Sequence, residues 1–288
     1  MQSSQHVRDL TWAINSRSLI NTDSSVVENR IPSIDPDTVD PDTVDAGHLS
    51  AFLADKPMRR VGRYFELLIL YWLQHIRCVD VVEESLQVRE GNRTLGEIDF
   101  LFRDEEGCLT HWEVAIKYYL YHADDLGMGC HYIGPNAADT FDRKMKRLFE
   151  HQLPRSEVHF PEVQRREAFV KGRIFYQPAQ PRPLAIPQLL SPDHHQGAWV
   201  YLSQLSTLPP LKDERFKVLR KPYWLSDETA AIKTVVDGDD RLLCRDGLRT
   251  VVAEQYASHV RPVLISQLQP DGQHFVESTR IFVMPDRQ

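Results

Sequence analysis

From Tyr64 to Ile76 the chain is apolar almost all round, with Tyr64, Phe65, Leu67, Leu68, Ile69, Leu70, Tyr71, Trp72 and Leu73 in one run. Apolar residues on every side are the mark of a helix buried on most of its surface. Glu66 interrupts the run. An ionised carboxylate in such surroundings costs on the order of several kcal/mol unless it is paired, hydrogen-bonded or bound to a metal. The fold must therefore bring Glu66 a partner.

The stretch that follows contains two candidate strands. In LGEIDFLF, Glu97, Asp99 and Leu101 share one face, and Ile98, Phe100 and Phe102 the other. In LTHWEVAIKY, His111, Glu113, Ala115 and Lys117 alternate with Trp112, Val114 and Ile116. Asp104-Glu105-Glu106-Gly107 lies between them. With Gly107 in the left-handed position of a three-residue loop, residues 105–107 form the turn and Asp99 falls opposite Glu113. Side chains so paired have Cβ atoms about 4.5–5.5 Å apart, where like charges destabilise the sheet. A divalent cation is the simplest cure.

Gly62 and Glu66 in an apolar helix, then Gly96-Glu97-Ile98-Asp99, then Glu113 on the next strand with a lysine after it, resemble the core of the PD-(D/E)XK nuclease superfamily. They are similar in particular to an uncharacterised bacterial family, a domain of unknown function linked to that superfamily. The resemblance implies an α/β fold: a restriction-endonuclease-like mixed sheet core flanked by helices, here with an α+β C-terminal extension. It also implies roles. Asp99 and Glu113 would hold Mg2+ or Mn2+, Glu66 would be the additional helix glutamate that completes the metal shell, and Lys117 would orient the attacking water. The sequence departs from the pattern at the lysine. The third position of the E-x-K element is Ala115, and Lys117 lies two residues further along the same face, about 6.6 Å away at the strand rise.

The remaining chain divides by composition into an arm and acidic loop over 1–60, the core over 61–177, and a C-terminal region over 178–288. A short helix is expected between Arg8 and Ile20. The duplicated Pro-Asp-Thr-Val-Asp unit that follows lacks apolar area and EF-hand spacing, so it reads as a mobile or extended surface loop. The glycines around Cys130 do not form a phosphate-binding loop, because Gly-Lys-Ser/Thr is missing. Asp139–Leu153 is expected to be an amphipathic helix, with Phe141, Met145, Leu148 and Phe149 inside and Arg143, Lys144, Lys146 and Arg147 largely outside. A strand should follow at Gly172–Gln177. Beyond it, strands are expected at Phe216–Leu219, Pro262–Leu268 and Phe275–Met284, with a helix at Gly247–Ser258. His194-His195 reads as a surface loop, and Trp199, Tyr223 and Trp224 as core or interface aromatics.

The first residues have no apolar core of signal-peptide length, and four scattered cysteines without C-x-x-C spacing read as reduced thiols, so a cytoplasmic protein is expected. An excess of 41 acids over 34 lysines and arginines argues against a protein that coats nucleic acid generally. Between Asp142 and Arg182, however, ten basic residues face five acids, a local excess able to contact phosphates. The expected function is metal-dependent hydrolysis of nucleic-acid phosphodiesters. The alternative is an inactive nuclease-fold module that binds nucleic acid or protein. The discriminating feature is whether Lys117, or another lysine such as Lys144 or Lys146, meets the acids.

Overall fold

Two helices cover the apolar run. In the computed structural model, which describes residues 4–27, 30–34, 38–124, 126–231 and 242–286, α1 (Gln5–Asn15) and α2 (Ala46–Ala54) pack against α3 (Val61–Tyr71). A π-helical turn, Trp72–Ile76, extends α3. Asp45 caps α2, its side chain accepting from the N–H groups of Gly47 and His48. The fully buried Asp9 of α1 accepts a 3.0 Å hydrogen bond from the Tyr64 hydroxyl.

The acidic repeat is more fixed than its composition suggests. Val39 is buried, and Asn15 clamps it through Nδ2 to its carbonyl (2.8 Å) and Oδ1 to its N–H (3.0 Å). Asp45, the last residue of the second copy, serves as the cap of α2. Residues 35–37 of that stretch lie outside the described residues.

Strands β1 (Asp80–Glu90), β2 (Arg93–Arg103) and β3 (Leu109–Tyr121) follow. They pair antiparallel in that order. The β2–β3 ladder runs from Phe100↔Trp112 to Arg103↔Leu109. This is the register that the three-residue loop requires: Gly107 has φ 78°, and its N–H donates to the Asp104 carbonyl at 2.9 Å. Arg77, at the end of the π-helical turn, grips the loop through two 2.6 Å bonds to Glu105.

β4 (Tyr132–Ile133) pairs with the end of β3. Next come α4 (Phe141–Arg147), a second π-helical turn (Leu148–Gln152), α5 (Arg155–His159) and β5 (Arg165–Tyr176). The single helix expected at 139–153 is therefore α4 plus a π turn. An aromatic stack fixes α3 to the sheet: Trp72 lies 6.1 Å from Trp112 of β3, Trp112 lies 5.2 Å from Phe169 of β5, and Phe169 lies 6.1 Å from Phe65. Phe65 and Trp72 are seven residues apart, two helical turns, so they present one face. Gly172 permits β5 to approach the backbone carbonyl of Lys117, where a side chain would collide.

β6 (His195–Tyr201), β7 (Arg215–Val218), β8 (Thr229–Ala231), α6 (Arg245–Ser258), β9 (Val263–Asp271) and β10 (His274–Met284) follow. The protein is α/β, with strands in mixed ladders. The chain forms two compact units. One comprises Met1–Lys117, Asp142–Gly172 and Ile186–His194, and the other Tyr118–Phe141, Arg173–Ala185 and His195–Gln288. In the second unit, the end of β5 runs parallel to β6 and β6 parallel to β10, whereas β9 and β7 continue antiparallel. Leu248 and Val252 of α6 pack there against Phe216, Ile265 and Ile281. Arg280, fully buried, is matched by Glu277 at 2.6 Å and by the carbonyls of Trp224 and Ser226. Trp199 is a core residue, as expected.

The histidine pair is not a surface loop. His194 is buried, with Nδ1 2.6 Å from the Ser191 carbonyl, and His195 opens β6. Among the described residues, no helix is long and apolar enough to cross a membrane.

Candidate functional site: a carboxylate pair

The site begins where the β2–β3 ladder ends. One residue beyond the Phe100↔Trp112 pair, Asp99 and Glu113 lie close enough for the charge of Glu113 to act on Asp99. Asp99 Oδ2 accepts from the Val114 N–H at 2.8 Å, so its side chain takes the place of a partner strand carbonyl. Glu113 is 1% exposed. Burial and the charge of Glu113 push Asp99 up to about 8. Burial likewise pushes Glu113 up to about 7, against the opposing pull of Lys144 and Arg155. Two neighbouring acids so perturbed mark a candidate functional site.

Glu66 is close enough for its charge to raise Asp99 further, but it has its own partner, Arg63, at 3.1 Å. Its carboxyl is raised chiefly by burial, with Glu97 adding to the shift. The structure thus brings Asp99 and Glu113 together and sets Glu66 beside them in an ion pair. Among the described residues, no group of three or more His, Cys, Asp or Glu side chains is arranged to hold a metal ion.

Two lysines reach this region. Lys117 is half-buried on β3, and its charge acts on Lys144. Lys144 corrects the expectation of an outward α4 face. Burial and Lys117 lower its pKa, the charges of Glu113 and Asp99 raise it, and its Nζ donates to Gln152 Oε1 at 2.9 Å. The neighbouring Arg143, Lys146 and Arg147 are exposed, as expected.

Several polar groups around the pair were not among the sequence candidates. Gln152, on the second π turn, donates from Nε2 to Glu113 Oε2. His111 Nε2 lies 3.2 Å from Glu113 Oε1, and its Nδ1 lies 2.8 Å from Ser156 Oγ. Arg155 crosses Gly96, where no side chain obstructs it, and donates to the Glu97 carbonyl at 2.8 Å. His111 had a visible signal, since it shares the strand face of Glu113; Gln152 and Ser156 reach it only by tertiary folding.

Fold and site together define an α/β protein with a carboxylate pair on adjacent antiparallel strands, Glu113 buried and Asp99 half-buried, flanked by a helix-borne lysine. A family model described as Domain of unknown function (DUF1853) matches residues 8–284, and the chain belongs to that family. No curated protein and no solved structure matches it.

Proposed function

We propose that the protein is a metal-dependent nuclease, hydrolysing phosphodiester bonds at the Asp99–Glu113 pair, as its resemblance to the PD-(D/E)XK superfamily implies. The observation that carries this reading is the pair itself: two neighbouring acids, both pushed toward neutrality by burial. Their donor set fits Mg2+ or Mn2+. Mg2+ is commonly held by only one or two carboxylates, with waters and substrate phosphate filling its octahedron. Glu66, occupied by Arg63, fits a role through water better than a direct ligand. The bound ion would supply Lewis-acid stabilisation of the phosphate and a water of lowered pKa.

The chain's own groups then have distinct tasks. Lys144 stands nearest to the role of the superfamily lysine, because its charge couples to both acids. Lys117 raises the positive potential beside it. Exposed Arg143, Lys146 and Arg147 offer contacts to the phosphate backbone.

The pairing of Glu66 with Arg63 favours a second reading, a module that binds nucleic acid without cutting it. One experiment addresses both. A mixed panel of DNA and RNA substrates is incubated with Mg2+ or Mn2+ and resolved for cleavage and for retention. Cleavage that Asp99→Ala abolishes supports the nuclease, and salt-sensitive retention without cleavage supports the module. Activity absent, or unchanged by Asp99→Ala, rejects the nuclease.

A further inference from the structure

We infer that Lys144, Gln152, His111, Ser156 and Arg166 form one directed hydrogen-bond chain that ends on Glu113, which makes His111 and Gln152 positioning residues of that carboxylate. The inference concerns how Glu113 is held, and its link to a cation rests on the proposed function above.

Arg166 and Lys144 can only donate and so fix the two outer ends, and the shorter contact at Ser156 sets the direction between. Arg166 Nε donates to Ser156 Oγ at 3.0 Å, because a guanidinium has no acceptor. Ser156 then has one proton to give and two acceptors in range, His111 Nδ1 at 2.8 Å and the Leu153 carbonyl at 3.3 Å. The shorter contact takes it. His111 is fully buried, and a ring whose Nδ1 accepts the Ser156 proton carries its own single proton on Nε2. With Nδ1 accepting, that proton sits on Nε2 and points at Glu113 Oε1, 3.2 Å away.

The other arm is forced in the same way. Lys144 Nζ has no acceptor capacity and donates to Gln152 Oε1 at 2.9 Å. This orients the amide so that Nε2 faces Glu113 Oε2 and donates to it. Both carboxylate oxygens therefore receive one hydrogen bond, and cationic residues close both outer ends. The opposite tautomer would require Ser156 to donate to the Leu153 carbonyl at 3.3 Å instead and Glu113 to be protonated.

The second π turn explains how the far arm reaches. It brings Gln152 round toward β3, and π turns inside helices are frequent at functional sites. Ser156 and His111 are each 0% exposed, so the chain is sealed from solvent on that side. An ionised carboxylate has about four lone-pair sites. Two remain after these bonds, enough to ligate a cation without breaking the chain.

The test reads the tautomer directly. Long-range proton–nitrogen correlation spectra of the full chain at pH 7.5 should show His111 with a protonated Nε2 and an unprotonated, pyridine-like Nδ1. A protonated Nδ1, or a doubly protonated ring, overturns the chain. The positioning role is read from the rise in unfolding temperature produced by Mn2+. His111→Gln can still accept from Ser156 and donate to Glu113, so it should keep the response, whereas His111→Leu should weaken Mn2+ affinity by about 10-fold or more. Gln152→Leu, at a half-buried position, gives the same reading from the other arm if His111→Leu does not fold. Unchanged Mn2+ affinity in the leucine variants overturns the positioning role. If the unaltered chain gives no Mn2+ response, the nuclease reading fails, and the tautomer alone decides the hydrogen-bond chain.

Discussion

Lys171 lies buried on β5, with Nζ donating to the carbonyls of Ile14 and Ser16 at the end of α1 and lying 4.7 Å from the centre of the Phe169 ring. Burial pushes its pKa down to about 7 from the usual 10.5. Between those values the unfolded chain binds more protons than the folded one, so this residue makes stability rise with pH across that window and fall as pH drops toward 7. The slope from one such group is at most about 1.4 kcal/mol per pH unit. Urea unfolding of Lys171→Met at pH 7 and pH 10 should show a flatter dependence than the unaltered chain; parallel curves would contradict it. Asp99 behaves with the opposite sign. Its folded pKa is raised from 3.8 to about 8, so the folded chain holds the extra proton and stability falls as pH climbs between those values. Asp99→Asn keeps an acceptor for Val114 and removes the charge. It should match the unaltered chain at pH 5 and exceed it by on the order of 1–3 kcal/mol at pH 8.5 in urea unfolding, while losing any activity. Lower stability at both pH values would mean that Asp99 is a structural acid.

Among the elements, the β2–β3 hairpin was legible because its turn has a chemical signature. Gly107 takes φ 78°, Asp104 Oδ1 accepts from the N–H groups of Glu106 and Cys108, and the register follows. Gly107→Ala should therefore cost about 1 kcal/mol in urea unfolding. Trp112, between Trp72 and Phe169, should cost about 3–5 kcal/mol as Trp112→Ala, since its loss leaves a cavity under α3. Other features could not be read from local pattern. Lys144 falls on what looks like the polar face of a regular helix, and the π turn beyond it was not visible as a change of period. α2 was hidden because its cap, Asp45, resembles one more acid of the repeat, although Asp45 before Ala-Gly-His-Leu is a usable start signal. The connection after α3 hid the first half of β1, where Glu83 and Glu84 give an outward strand no apolar alternation. Partners of Glu113 such as Gln152, 39 residues away, depend on the completed fold.

For the whole molecule, charge sets the terms of any encounter with nucleic acid. The net charge is −7, so long-range attraction is weak and contact depends on the local basic surface of α4. Replacing exposed Lys146 and Arg147 together by glutamate should reduce retention of nucleic acid in a gel shift and flatten its salt dependence; identical retention would remove α4 from the interface. The central claim is that Asp99 and Glu113 await a cation, and calorimetric titration of Mn2+ at pH 8 tests it most directly. The account predicts saturable binding by the unaltered chain that both Asp99→Asn and Glu113→Gln abolish. Absence of binding, or equal binding by all three proteins, would contradict it.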